Sequence, residues 1–231
     1  MTQPSGEFPA PPLIAIDGLG AVGKTTVGQI VARRLGYRFV DTGEMYRALT
    51  WLALHRGIDV GDEPTLTRLA SEARLVISTT ASAEKRRVVI DGFDVTSDIC
   101  SQRVDGEVSK ISRVAGVRES LVSRQRAMAK EGKLVMVGRD IGTVVLPHAG
   151  LKVFLVASAE ERARRRHREQ RSLPESAYEQ ILAELKSRDA VDSTRPLSPT
   201  VPAHDARIVD TEGLTPEQVA DRVLALAKEI T

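Results

Sequence analysis

Short apolar runs alternate with longer stretches of helical period along the first quarter of the chain: LIAI from Leu13, KTTVGQIVARRL from Lys24, RFVD from Arg38 and EMYRALTWLALHR from Glu44. A brief continuous apolar run suits a strand buried on both faces, and the 3.6-residue periods between such runs suit helices that cover a parallel sheet. The pattern predicts an α/β fold whose core begins at Leu13. After Asp59 the alternation breaks. RLVISTT and RRVVIDGFDVT read as short strands around an Asp91-Gly92 turn, a small β-rich insertion that ends near Asp105. The α/β pattern resumes with a helix through RVAGVRESLVSRQRAMAKEG, a strand LVMV, a loop GRDIGT, a strand LKVFLVA and a helix opening at about Ala159. A polar break over 170–174, a helix SAYEQILAELKSRDA, a Pro-rich run over 195–202, a strand RIVD and a helix opening at Thr215-Pro216-Glu217 complete the chain.

A chain of 231 residues has room for one main core with mobile additions. Its 42% apolar and 28% charged residues are those of a soluble globular protein, and apolar runs such as 153–157 are far too short to span a bilayer. Residues 1–12, MTQPSGEFPAPP, lack the basic start and apolar segment of a secretory signal and read as a flexible tail, so a cytoplasmic protein is expected. The one cysteine, Cys100, agrees with a reducing compartment and rules out cysteine pairs as metal ligands. Net charge is only +2, but arginines crowd into RARRRHREQR over 162–171.

Directly after the first strand stands GLGAVGKT: Gly18, Leu19, Gly20, Ala21, Val22, Gly23, Lys24 and Thr25. This is the G-x-x-x-x-G-K-[ST] pattern in its required setting, between a strand and a helix. The glycines let backbone N–H groups turn toward one point, the helix start adds partial positive charge, and Lys24 supplies a full charge. The Thr25 hydroxyl is placed for Mg²⁺, directly or through water, so a nucleoside triphosphate is the natural ligand.

Which reaction the triphosphate undergoes must come from elsewhere. A GTPase would read guanine with an N-K-x-D segment, and the chain contains no asparagine. An ATPase motor needs an acid at a strand end followed by a catalytic glutamate; VMVGRD, with Asp140 followed by Ile141, fits poorly. A small-molecule kinase needs a second polyanion site, for which Arg47, Arg118, Arg139, Arg188 and Arg195 are candidates from separate elements.

Three further blocks, DTGEMYR from Asp41, GRDIGTVV from Gly138 and RDAVDSTRPLSP from Arg188, follow the phosphate loop in an order that resembles bacterial cytidylate kinases. The resemblance runs from about Leu13 to the C-terminus. It implies a P-loop nucleoside monophosphate kinase: a five-stranded parallel sheet flanked by helices, an acceptor-binding part over about 42–115 that includes the insertion over about 60–105, and a short lid over about 164–173. It implies that Ser109, Arg118 and Asp140 meet the cytosine, that Arg47, Arg139 and Arg188 hold the acceptor phosphate, and that Arg188 with Asp192 touches the sugar. Thr42 and Arg195 also fall on acceptor positions, and Thr26 and Arg162 complete the donor set. The chain departs from the family at Leu19, Ala21 and Val22, where proline and smaller residues are usual, and at Cys100, where arginine is usual.

The chemistry expected of these residues is electrostatic. The acceptor phosphate has a second pKa near about 6 and needs no strong base, so no carboxylate is assigned that role. Lys24, Arg139 and Arg188 are the expected catalytic groups, acting with Mg²⁺ and ATP, while an arginine-bearing lid excludes water. Asp140 facing an amino group and Arg118 donating to the ring favour CMP over UMP. Transfer to CMP or dCMP by a monomer, with no nucleic acid or membrane partner, is the resulting expectation. A kinase for UMP or dephospho-coenzyme A, and a nucleotide-binding regulatory protein without turnover, remain the alternatives.

Overall fold

The computed structural model describes residues 13–82, 86–169 and 177–229 of the 231-residue chain. In chain order the elements are β1 (Leu13–Gly18), α1 (Lys24–Leu35), β2 (Arg38–Asp41), α2 (Thr42–His55), α3 (Glu63–Glu72), β3 (Leu75–Ile77), β4 (Val88–Ile90), β5 (Phe93–Asp94), α4 (Gln102–Ile111) and α5 (Ala115–Ala129). They continue with β6 (Leu134–Val137), β7 (Leu151–Val156), α6 (Ala159–Glu169), α7 (Ala177–Thr194), β8 (Arg207–Asp210) and α8 (Pro216–Lys228).

Five strands form one parallel sheet in the order β2-β6-β1-β7-β8, as expected. Alternation along β1 sends Ile14 and Ile16 to one face, where they meet Val27 and Val31 of α1 and Val219 and Val223 of α8. Ala15 turns to the other face and packs with Val40, Met136, Ile141 and Val145. Both faces are covered, which is why β6 reads LVMV without a polar position. A second core joins α2, α3, α4 and α5 to the small antiparallel sheet β3-β4-β5 through Met45, Leu49, Leu66, Ile90, Ile111 and Leu121. The loops after β1, β2, β6 and β7 all leave from the carboxyl ends of the strands, where ligands bind to open parallel sheets.

Several local signals account for the element ends. Asp41 caps α2 by accepting the Gly43 N–H at 2.9 Å, and Thr215 with Gln218 forms a capping box on α8 behind Pro216. The insertion contains more helix than its β-rich reading allowed. Helix α3 opens on Asp62, which accepts the Thr65 N–H at 3.1 Å, and buries Leu66, Leu69 and Ala70. Helix α4 buries Val104, Val108 and Ile111, an i, i+4, i+7 stripe that ends where the expected helix from Arg113 was to begin. The segment after β6 is not wholly a loop: residues 141–145 wind into a π-turn. Helix α7 runs on to Thr194, beyond the expected Ala190.

The insertion is tied to the edge strand of the main sheet. Phe39 N–H donates to the Thr79 carbonyl at 2.8 Å, and Arg86 lies 4.6 Å over the Phe39 ring while pairing with Glu44. The 1–12 tail and the break at 170–174 lie outside the described residues. Of the expected lid, 164–169 belong to α6 and 170–173 lie outside the described residues. No helix among the described residues is long and apolar enough to cross a membrane.

Helix α1 approaches the sheet at Gly28, where an added Cβ would fall 2.6 Å from Val137 Cγ1 and 2.7 Å from the Phe39 ring. Gly28→Ala should therefore destabilise the fold by about 1–3 kcal/mol through overpacking, despite alanine's better helix propensity. Gly106, in α4, has nothing within 4 Å of the equivalent position. Gly106→Ala should be neutral or stabilising by up to about 1 kcal/mol. Urea unfolding of both variants checks the opposite signs, and two losses of equal size would count against the packing argument.

Candidate active site

The loop between β1 and α1 is shaped by contacts that begin at Gly18. Its φ is +146°, and a Cβ there would stand 2.4 Å from the Leu155 carbonyl oxygen, so only glycine lets the chain leave β1 in this direction. Val22 is buried and packs beneath Gly18, while Ala21 and Gly23 take positive φ. Lys24 folds back to donate to the Leu19 carbonyl at 2.7 Å. Burial, followed by the Arg139 charge, holds the Lys24 ammonium well below its ordinary pKa, against the pull of Asp41 and Asp17. Thr25 and Thr26 are exposed at the start of α1, and Thr25 Oγ1 donates to Asp41 Oδ2 at 2.5 Å. Over this loop lies a cavity of about 1060 Å³ lined also by Arg165, Arg166 and Arg168 of α6 and by residues 213–216.

A cluster of arginines gathers beside the loop around Asp192, which is buried on α7. Arg139 Nη1 lies 3.1 Å, Arg188 Nε 3.9 Å and Arg195 Nη1 4.0 Å from its carboxylate oxygens. Arg139 Nη1, Arg188 Nε and Arg195 Nη2 are buried yet make no hydrogen bond, although Arg195 Nε donates to the Ser198 carbonyl at 2.5 Å. Burial pushes the Arg139 guanidinium down to about 10, Asp192 opposing it and Arg188 adding to it. Buried donors without acceptors are costly, and an anion is the group that would complete them.

A second pair lies on the side of α5. Arg118 and Asp140 are both buried and joined by a hydrogen bond from Nη2 to Oδ2; Arg118 Nη1 also reaches the Ser112 carbonyl at 3.3 Å. Thr42 is buried at the start of α2, its hydroxyl donating to the Val137 carbonyl at 3.0 Å. Arg47 donates through Nη1 to the Ile99 carbonyl at 2.9 Å and through Nη2 to Asp105. Ser109 is half-buried on α4, one turn beyond Asp105. The structure thus brings Lys24, Arg139, Arg188, Asp192 and Arg195 together and sets Arg118 with Asp140 beside them, with Ser109 on α4 one turn from Asp105.

Arg162 is a different case. It is buried, and three of its five N–H groups donate to Ala157 at 3.2 Å, to Gly20 at 3.1 Å and to Asp189 at 2.6 Å. These bonds brace the phosphate loop against α6 and α7.

Four carboxylates that matter to this geometry were not among the expected site residues. Asp17 sits immediately before the phosphate loop and accepts the N–H groups of Ile141 at 2.8 Å and Gly142 at 2.7 Å, tying that loop to the segment that carries Arg139 and Asp140. Asp41 caps α2 with one oxygen and meets Thr25 with the other. Glu44 pairs with Arg86 and is pushed up to about 7, first by burial and then by the Asp41 charge. Asp105 joins Arg47.

Asp17 makes stability depend on pH. Burial raises its carboxyl from 3.8 to about 6, against the two backbone N–H bonds that lower it. A raised pKa means that the folded protein holds the proton longer than the unfolded chain. The stabilisation is full below about pH 4 and is lost as pH rises through about 6, at about 1.36 kcal/mol for each pH unit of displacement. In urea unfolding from pH 4 to pH 7, wild type should lose about 2–3 kcal/mol relative to Asp17→Asn. Parallel pH curves for the two proteins would contradict this.

A profile of the family described as cytidylate kinase matches residues 14–229. The chain is 45% identical to the cytidylate kinase of Bacillus licheniformis over 92% of its own length and 94% of the relative's. It is 47% identical to that of Desulforamulus reducens over 91% of this chain and 94% of the relative. Among solved structures, a shikimate kinase from Bacteroides thetaiotaomicron matches in fold alone, with 15% identity, a TM-score of 0.50 and coverage of 94% and 98% of the two chains. With a parallel sheet bearing a phosphate loop, an arginine cluster beside it and near-complete coverage by profile and relatives alike, the chain belongs to the cytidylate kinase family.

Proposed function

We infer that the chain transfers the γ-phosphoryl group of ATP to CMP or dCMP, giving ADP and CDP or dCDP. The observation that carries this reading is the set of guanidiniums that share Asp192 beside the phosphate loop, with buried N–H groups that make no hydrogen bond. Family membership supports cytidylate as the acceptor.

The acceptor's phosphate is a dianion near neutral pH, because its second pKa lies near about 6. Its oxygen attacks the γ-phosphorus as the bond to the β–γ bridging oxygen breaks, and ADP leaves with the electron pair. Lys24 and the phosphate-loop N–H groups take the donor phosphates. Arg139 and Arg188 lie between donor and acceptor, where they neutralise the transferring group, and Arg47, Arg195 and Thr42 hold the acceptor. Thr25 and Asp41 present a hydroxyl and a carboxylate oxygen 2.5 Å apart. These are the hard oxygen donors that Mg²⁺ takes alongside nucleotide phosphates and water. When bound, the ion supplies countercharge to the donor phosphates.

Asp140 accepts from the cytosine amino group while Arg118 donates to the ring, with Ser109 on the same side; uracil would set a carbonyl against the carboxylate. Asp192 meets the sugar with Arg188. The α6 arginines that line the cavity over the phosphate loop support the reading of 164–173 as a lid that closes over both nucleotides. The same reading has the enzyme acting as a cytoplasmic monomer on small nucleotides, without nucleic acid.

A coupled ADP-release assay with ATP, Mg²⁺ and each nucleoside monophosphate tests reaction and acceptor together. Release with CMP or dCMP is expected; release with UMP or AMP alone would overturn the base pocket, and ADP release that no acceptor stimulates would overturn transfer itself. Lys24→Ala should lower kcat by about 10²–10³-fold or more for every acceptor. Asp140→Ala should lower kcat/KM for CMP about 10–100-fold more than for UMP. Equal losses on the two acceptors would remove Asp140 from base reading.

A further inference from the structure

Arg47 and Arg188 reach the same place from different helices, α2 and α7, and one carboxylate stands between them. Asp105 on α4 accepts a hydrogen bond from Arg47 Nη2, and its Oδ1 lies 4.0 Å from Arg188 Nη1. Arg47 is fixed independently by its bond to the Ile99 carbonyl. Among the described residues, Arg188 is held by longer ion pairs, at 3.9 Å to Asp192 and 4.0 Å to Asp105, and its Nε is buried without a hydrogen bond. Burial pushes the Arg188 guanidinium below its ordinary pKa; Asp192 opposes this, Arg47 adds to it and Asp105 opposes it again. Two guanidiniums this close repel unless an anion lies between them, and before any nucleotide binds that anion is Asp105.

We propose that Asp105 is a placeholder for the acceptor's phosphate: it neutralises Arg47 and Arg188 in the empty site, competes with the incoming phosphate for them, and so sets acceptor affinity. This rests on the reading that Arg47 and Arg188 hold the acceptor phosphate. The exchange favours the phosphate, which brings up to two charges and three acceptor oxygens against the carboxylate's one charge and two oxygens. The displaced carboxylate has somewhere to go, since the Asp105 side chain is 35% exposed and can turn to water. A nucleoside without phosphate cannot make the exchange, so the placeholder selects for the phosphorylated acceptor. Asp105 touches no reacting atom; it acts through the two arginines and is a positioning residue.

Asp105→Asn keeps the shape and removes the charge. KM for CMP, and Kd for CMP by calorimetry without ATP, should fall roughly tenfold, the scale for one partly exposed like charge, while KM for ATP stays close to wild type. Asp105→Ala should move CMP binding in the same direction. In an Arg47→Gln background the Asp105→Asn effect should largely vanish, because the donor for which the two anions compete is gone. Unchanged or weaker CMP binding in both Asp105 variants, with Arg47→Gln and Arg188→Gln still raising KM for CMP steeply, would overturn the placeholder and keep the acceptor reading. If Arg47→Gln and Arg188→Gln leave KM for CMP unaltered, the acceptor phosphate is held elsewhere and both readings fall together.

Discussion

The constraint on which this site depends is the need to keep many positive charges together before the polyanions that match them arrive. Lys24, Arg139, Arg188 and Arg195 stand within one cleft, and burial alone would drive such groups apart or toward neutrality. The protein answers with single carboxylates, two of them shared: Asp192 among three arginines and Asp105 between two, while Asp140 pairs with Arg118. The sharing leaves the arginines under-neutralised and several of their N–H groups without a hydrogen bond. That residual charge is a preorganised field for phosphate, requiring no rearrangement of dipoles when the transferring group carries its greatest charge.

Such a field is useful only if its parts keep their spacing, and the spacing comes from the sheet. Parallel pairing puts the ends of β1, β2 and β6 side by side, so the phosphate loop, the start of α2 and the Arg139-Asp140 segment emerge at one edge. Asp17 then fixes the first of these to the third through two backbone N–H groups, and Arg162 fixes the phosphate loop to α6 and α7. Asp41 does the same between α2 and the start of α1. Donor and acceptor groups are thus referred to one frame, which matters where a displacement of about 1 Å costs roughly a hundredfold in rate.

The parts of this arrangement that were legible in the sequence are those whose cause is local. GLGAVGKT works through the conformation of its own backbone, and β1, β6 and β7 declare themselves by short runs buried on both faces. The five-stranded sheet followed from that alternation together with the family resemblance. Helices α3 and α4 were missed because neighbouring strand signals dominated the insertion, although the cap at Asp62 with Pro64, and the Val104, Val108, Ile111 spacing, were available. Asp17 and Asp105 were illegible for another reason: their partners lie 124 and 58 residues away, and nothing in a solvated-looking aspartate announces which amide or guanidinium the fold will bring to it. Arg162 was legible as an arginine near the donor, but that its donors go to Ala157, Gly20 and Asp189 is a fact of packing.

On the proposed reading, helix α4 connects the two halves of acceptor recognition in a way that neither half implies alone. Its Asp105 faces the phosphate arginines, and Ser109, expected to meet the base, follows one turn later on the same helical stripe. The helix is held from behind by Val108 and Ile111 in the second core, with Val104 also buried, and toward the site its Asp105 pairs with Arg47. On the proposed acceptor reading, a phosphate that takes Arg47 releases the ion pair on the open face of α4 as the base meets Ser109. Loss of one contact and gain of the other then fall on a single rigid element, so phosphate and base are sensed by the same helix, and an acceptor that supplies only one of them leaves that helix with only one of its two partners.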